Sequence, residues 1–220
     1  MPGMRRREFE MSSEEATALF AVLPTMHLAS TLEDGTPVFR TLHGVVDDGW
    51  VAFHSAPKGE KTSLIGRVAV VCSEETVATV PSTFFDPVKA CPATTYYRSV
   101  QVQGIVEQID EPARKARVLQ RLMEKLQPEG GYLPISNPDG TFDPIYRPAV
   151  RGLLVAGVRL QQLAGKAKLA QNRSPGELGE LLTSLWRRGA PGDLRALELI
   201  RAANPAAELP DVLVAPEGLT

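Results

Sequence analysis

The stretch "WVAFHSAPKGEKTSLIGR", residues 50 to 67, opens as an apolar strand, breaks at Pro57 and Gly59, and restarts as the first turn of a helix. A strand edge, a glycine-bearing loop and a helix start gather free backbone N–H groups beside the charges of Lys58 and Lys61. That combination makes the segment a candidate cradle for an anion. The residues upstream decide what sheet it closes. "MHLASTLE", "PVFRTLHGVV" and "WVAFHS" are apolar runs separated by "EDGT" and "DDGW", whose Asp-Gly pairs supply the positive φ of tight hairpin turns. The spacing predicts an antiparallel meander of three strands.

Before the meander, "SSEEATALFAVLP" places Glu15 three residues after Ser12 as a capping box and stops at Pro24, which predicts a short helix. After the cradle, "RVAVVCSE" reads as a buried strand and "YYRSVQVQGIVEQID" alternates as another. The proline-rich "TVPSTFFDPVKACPATT" joins them and is long enough to cover a site, with Phe84, Phe85 and Tyr96 arguing for packing. "EPARKARVLQRLMEKLQPEGG" sets Val118, Leu119, Leu122, Met123 and Leu126 on one helical stripe, so it covers a sheet. "PISNPDGTFDPIYRP" is irregular, "VRGLLVAGVRLQQLAG" is a last core strand, and "SPGELGELLTSLWRRG" and "GDLRALELIRAAN" are two capped helices before a frayed tail. Hairpin connections without βαβ alternation predict a mainly β (α+β) chain: an antiparallel barrel of about six strands with flanking helices and a C-terminal helical tail.

With 220 residues, 43% of them hydrophobic, the chain can bury one substantial core. A net charge of -2 gives no broad basic field, which speaks against general nucleic-acid binding and for a small-molecule partner. Cys72 and Cys91 lack CxxC spacing, so neither a disulfide framework nor a structural zinc site is expected, and both read as buried thiols. "MPGMRRREFEMSSEE" has arginines without a following apolar stretch, so the expectation is a soluble cytoplasmic protein with no signal or membrane anchor.

If both Asp-Gly turns are two-residue loops, Val46 pairs with Val51, His43 faces His54, and His27 pairs with Leu42 on the other side of the sheet. Three histidines then cannot share a metal. His27 reads as a structural histidine, His43 fits a structural or a ligand-side role equally, and His54 runs into the cradle and reads as a neighbour of the ligand. "GEKTS" lacks the G-x-x-x-x-G-K-[ST] of a P-loop, which excludes a nucleoside-triphosphate enzyme of that class. A monophosphate at Lys61, Ser55 and Thr62 remains, against the alternative that Lys58 and Lys61 are solvated charges beside a turn.

In residue order the chain resembles the FMN-binding split-barrel superfamily, the relatives of pyridoxamine 5'-phosphate oxidase, from near Thr25 to about Lys168. "VAFHSAPKGEK" and "YYRSVQVQG" are most similar to the branch of the 5-nitroimidazole reductases, the Nim group. The resemblance implies domains at 1–24 (a helix packing on the barrel), 25–168 (the FMN-binding split barrel) and 169–220 (C-terminal helices and tail). In the oxidases an Arg-Lys pair holds the FMN phosphate; here Glu60 stands in place of the arginine and Lys61 remains, a departure that either weakens phosphate affinity or shifts the job to another residue such as Arg40 or Lys58. The resemblance also implies that Arg40, Thr41 and Leu42 run beside the flavin ring, with Phe53, His54 and Ser55 on the next strand. Arg98 and Ser99 would lie near the isoalloxazine.

"GKAKLAQNRSP" resembles the ending of FMN-binding regulators of the Pai type and brings in Lys166, Lys168, Gln171, Asn172 and Arg173. A homodimer with two interface flavin sites follows from the resemblance. Loops 81–95 and 132–147 would cap the pocket. His54 would be catalytic, as a proton donor or a protonated neighbour of the ring, in an oxidoreductase acting on a small acceptor, including nitro-aromatic compounds. The rival expectation is a non-enzymatic sensor or regulator binding flavin or haem, with "LWRRG", Arg195 and Arg201 as its only basic face. Haem or a deazaflavin are the alternative cofactors.

Overall fold

The computed structural model describes residues 6–206. The "frayed tail" reading of residues 205–220 therefore falls almost wholly outside the described residues. The strands run in chain order as β1 (Glu10–Met11), β2 (Met26–Thr31), β3 (Pro37–Leu42), β4 (Gly44–Asp47), β5 (Trp50–Ser55), β6 (Val68–Val80), β7 (Thr94–Ile105), β8 (Glu107–Gln108), β9 (Leu154–Arg159) and β10 (Gln162–Lys168). The helices are α1 (Ser13–Val22), α2 (Pro112–Leu126), α3 (Arg147–Gly152), α4 (Pro175–Arg188) and α5 (Asp193–Ala203). The fold is a mainly β split barrel of antiparallel sheets: six strands in the order β1-β10-β7-β6-β2-β3 and four in the order β4-β5-β9-β8. Among the described residues, no helix is long and apolar enough to cross a membrane.

The chain divides into two compact units, and the cut differs from the expected linear one. The first unit holds Ser12–Ser73 and Val100–Gly165; the second holds, of the described residues, 6–11, Glu74–Ser99 and 166–206. The cause lies in strand length. β6 has 13 residues and β7 has 12, so each begins in one unit and ends in the other.

In the first unit, α1 starts at the Ser12–Glu15 capping box, with the Glu15 N–H donating to Ser12 Oγ at 3.1 Å and the Ser12 N–H donating to Glu15 Oε2 at 2.8 Å. The second Asp-Gly turn is the predicted two-residue hairpin. Asp48 and Gly49 take φ of 46° and 74°, and Val46 faces Val51. The first turn is not, because the Leu32 N–H donates to Thr36 O across a three-residue loop carrying Gly35 at φ 85°. That extra residue shifts the register by one, so His27 faces Thr41 and Met26 faces Leu42. The expected single strand "PVFRTLHGVV" also breaks at His43, leaving β3 in the six-stranded sheet and β4 in the other. Gly157 is required where β9 crosses β5, since a Cβ there would lie 2.6 Å from Val51 O.

The core of the first unit gathers Val45, Ala52, Val118, Leu122 and Val155, with the apolar stripe of α2 over the four-stranded sheet. Asp47 is fully buried there and accepts from Arg117 Nε and Arg121 Nε, each at 2.9 Å. Trp50 lies under two guanidinium groups, Arg114 at 4.5 Å and Arg159 at 4.4 Å. The second unit packs the leucines of α4 and Ile200 of α5 against Val80 and Tyr96. α4 ends at Gly189, which takes φ 57°, and Arg188 Nε then donates to Asp193 Oδ2 at 2.9 Å to tie α4 to α5. Cys91 is exposed and Cys72 half-buried, which corrects the expectation of two buried thiols; Cys91 sits in the proline-rich connection outside any strand.

Candidate functional site

The opening segment folds as the end of β5, a turn, and a tight 3-10 turn over Glu60–Leu64 instead of the expected α-helical start. Gly59 at φ 111° reverses the chain. The Thr62 N–H (3.0 Å) and the Thr62 hydroxyl (2.6 Å) both donate to Gly59 O, closing the i to i+3 ring of a 3-10 turn. The Ser55 hydroxyl donates to Ala56 O at 3.1 Å. Holding an anion here requires both hydroxyl protons to turn away from main-chain carbonyls.

Charge in this segment is distributed unevenly. Arg40 Nη2 is bound to the Glu60 carboxylate in a very close ion pair, so the residue that replaces the family's arginine also neutralises the nearest alternative. Lys61 has no carboxylate partner among the described residues. His54 carries a buried Nδ1 that finds no hydrogen-bond partner there. Burial holds the His54 pKa below its ordinary value, and the charges of Lys61 and then His43 push it further the same way. His43 Nδ1 lies 3.4 Å from Pro24 O, and His27 stacks on Phe39 at 5.2 Å.

The remaining expected residues separate by burial and by unit. Arg40 and Thr41 are exposed on β3, whereas Leu42 and Phe53 have side chains in the core at 5% and 1% exposure, leaving them only backbone to offer a ligand. Arg40 lies on the same face of β3 as Leu42 but runs out to Glu60, while β5 is buried continuously from Trp50 to Phe53. Arg98, Ser99, Lys166 and Lys168 belong to the second unit. Arg98 is held by Glu75 through Nε at 2.9 Å and a closer Nη2, so its charge, like that of Arg40, is already matched.

Lys166 and Lys168 line a cavity of about 470 Å³ in the second unit, with Asn172 and Arg173 from the same segment. Gln171 instead serves its own backbone, accepting from the Leu169 N–H at 2.7 Å and donating to Ala167 O at 2.8 Å. Arg6, Tyr96 and Tyr97 complete this wall and were missed by sequence reasoning; the lysines two apart on one strand were the available signal. Loop 81–93 falls in the second unit and loop 132–147 in the first. Of the expected basic face, Arg188 is bound to Asp193 and Arg195 lies 3.7 Å from Glu198, while Arg187 and Arg201 have no carboxylate partner among the described residues.

The model of the family described as pyridoxamine 5'-phosphate oxidase matches residues 12–167. No curated protein matches the chain. Among solved structures, the fold is similar to the flavocytochrome Anf3 from Azotobacter vinelandii, with TM-score 0.58 and 17% identity over 75% of this chain and 72% of that one. It is similar to the FAD and heme binding protein from Mycobacterium smegmatis, with TM-score 0.56 and 17% identity over 71% of each chain. A putative 5-nitroimidazole antibiotic resistance protein from Bacteroides thetaiotaomicron gives TM-score 0.54 and 19% identity over 71% of this chain and 85% of that one. With the family model spanning residues 12–167 of a 220-residue chain, the protein belongs to the pyridoxamine 5'-phosphate oxidase family.

Proposed function

We propose that the protein is a flavin-dependent oxidoreductase acting on a small electron-accepting molecule, as a homodimer, with FMN bound at the cradle of the first unit. The observation that carries this reading is the buried, unpartnered Nδ1 of His54 within electrostatic reach of Lys61, a lysine left without a carboxylate. A buried polar atom without a partner costs free energy unless a ligand supplies one, and an unmatched lysine is suited to a phosphate. Lys61 holds the phosphate, with the Ser55 and Thr62 hydroxyls re-aimed toward it. Thr41 and the backbone of Leu42 and Phe53 flank the ring. Bound flavin supplies a two-electron carrier that takes hydride from a reductant and passes it to an acceptor. His54, neutral near pH 7, accepts a proton at one ring nitrogen while donating from the other, so it moves a proton between solvent and substrate.

Dimerisation is supported by β3, an edge strand of the six-stranded sheet with Phe39 58% exposed on it. The visible spectrum of the freshly purified protein, with identification of whatever is released, tests the reading. A two-banded yellow spectrum and a Lys61→Ala variant that binds FMN at least tenfold more weakly are expected. A colourless monomer that ignores added FMN overturns it. A sharp haem band instead supports the sensor reading, which draws on the likeness to a flavocytochrome and to a protein described as binding FAD and heme.

A further inference from the structure

The cavity of the second unit lies apart in chemistry from the cradle, and the inference drawn from it does not rest on the flavin reading. Its volume of about 470 Å³ is that of a pocket for a compact organic ligand. Arg6, Lys166, Lys168 and Arg173 line it, and among the described residues no carboxylate does. Arg173 is paired with Glu177 at 2.9 Å, and Arg6 lies 3.9 Å from Glu8. Lys166 and Lys168 have no such partner among the described residues. Aromatic faces stand in for one: Lys166 Nζ is 5.2 Å from the Tyr97 ring centre and Lys168 Nζ 5.9 Å from that of Tyr96. Lys168 also donates to Thr94 Oγ1.

Two further observations point to a ligand. Tyr96 lines the cavity at 1% exposure; burial raises its pKa, and the Arg173 guanidinium beside its hydroxyl oxygen pulls the other way. With a guanidinium on its oxygen, the phenol has its proton left to donate, and that proton finds no acceptor among the described residues. The Lys168 ammonium is disfavoured first by burial and then, against the opposing pull of Tyr97, by repulsion from Lys166, Arg173 and Arg6. Lys166 and Lys168, which share the wall without a carboxylate of their own, are relieved when a multiply charged anion arrives. Phe9 and Tyr97 add flat apolar surface next to the lysines. Cation number calls for more than one negative charge, and the rings call for a planar group attached to it.

We propose that the second unit carries its own binding site, walled by Lys166, Lys168, Arg173, Tyr96 and Tyr97, for a small molecule that joins a planar ring to two linked phosphates, the chemistry of a nucleoside diphosphate. ADP, adenosine and inorganic pyrophosphate, titrated calorimetrically into the purified full-length protein, separate ring from charge. ADP is expected to bind saturably at one site per chain, pyrophosphate about tenfold more weakly, and adenosine more weakly still. Lys166→Gln/Lys168→Gln, which removes both charges while keeping most of the side-chain length, lowers ADP affinity at least tenfold. ADP also slows alkylation of exposed Cys91, which lines the cavity.

Saturating FMN leaves the ADP isotherm unchanged. Displacement of ADP by FMN would merge the cavity with the flavin site and overturn the proposal. So would the absence of saturable ADP binding, or undiminished binding by the folded double variant. Equal affinity for pyrophosphate and ADP removes the ring from the assignment. A protein that binds ADP but not FMN keeps this site and loses the flavin reading, so the two failures are distinguishable.

Discussion

The two units differ in how many cations they leave unmatched beside a candidate site. In the first, Asp47 is shared by Arg117 and Arg121, Arg40 is matched by Glu60, and Lys61 is left over beside His54. In the second, Arg188 is tied to Asp193 and Arg173 to Glu177, but Lys166 and Lys168 share the cavity wall without a carboxylate partner among the described residues. Matched charges fix elements to one another, and unmatched ones are where a ligand would find its binding energy. Buried matched pairs add little net stability but are costly to break on one side, whereas an unmatched cation costs little to remove until its ligand is present. The two kinds of residue should therefore separate cleanly in a stability assay and a binding assay.

Asp47→Ala is the strongest way to break this distinction. Removing the carboxylate takes away the charge-assisted hydrogen bonds of Arg117 and Arg121, whose half-exposed guanidinium groups can turn to water, with an expected loss of about 2 kcal/mol. Urea unfolding in a Trp186→Phe background, followed by the fluorescence of Trp50, which faces Asp47 across the β4–β5 hairpin, should show the midpoint falling. Lys61→Ala in the same assay should shift the midpoint by no more than about 0.5 kcal/mol. If the two variants were equally destabilised, matched and unmatched charges would not differ in role.

Glu60→Gln sharpens the comparison from the other side. Releasing Arg40 from its ion pair leaves a second unmatched cation near Lys61 and removes the negative charge that opposes a phosphate. FMN affinity, read by quenching of flavin fluorescence, should rise about fivefold to tenfold, as one added charge-assisted contact at a partly exposed site warrants. Unchanged affinity would mean that Arg40 and Glu60 are a structural pair with no bearing on the cradle.

What could be read from the sequence depended on how local the deciding interaction was. The Ser12–Glu15 capping box and the "DDGW" hairpin are each closed within a few residues, and both stand in the structure as read. "EDGT" contains the same Asp-Gly dipeptide yet makes a longer loop, because the Leu32–Thr36 closure that sets the register is not written in the dipeptide. The break at His43 was illegible for a similar reason: an apolar run looks the same whether it stays in one sheet or crosses to another. Of the candidate site, the cradle residues lie within a few positions of one another and could be proposed from order alone. The cavity draws on residues 6–9, 91–97 and 166–173, whose meeting is a property of the fold. Glu60 as the partner of Arg40, twenty residues away, belongs to the same class.

The smallest expected effect is also the most direct measure of the cradle, and it concerns His54. Its pKa is lowered by burial, with Lys61 and His43 acting in the same direction. In the unfolded chain the group titrates near its ordinary value of about 6.5. Below that pH the unfolded state takes up the proton first, so the stability contributed by keeping His54 neutral is fully present above about pH 6.5 and is lost as pH falls through the folded value. The imidazole C2–H resonance of His54 should therefore titrate with a midpoint below 6.5. Lys61→Met should raise that midpoint by removing the second of its three causes while leaving burial in place. FMN, with its phosphate at Lys61, should raise it further than the substitution does, since the anion both cancels the lysine charge and adds a negative one. An ADP titration of the same sample should leave it where it was, as two independent sites require.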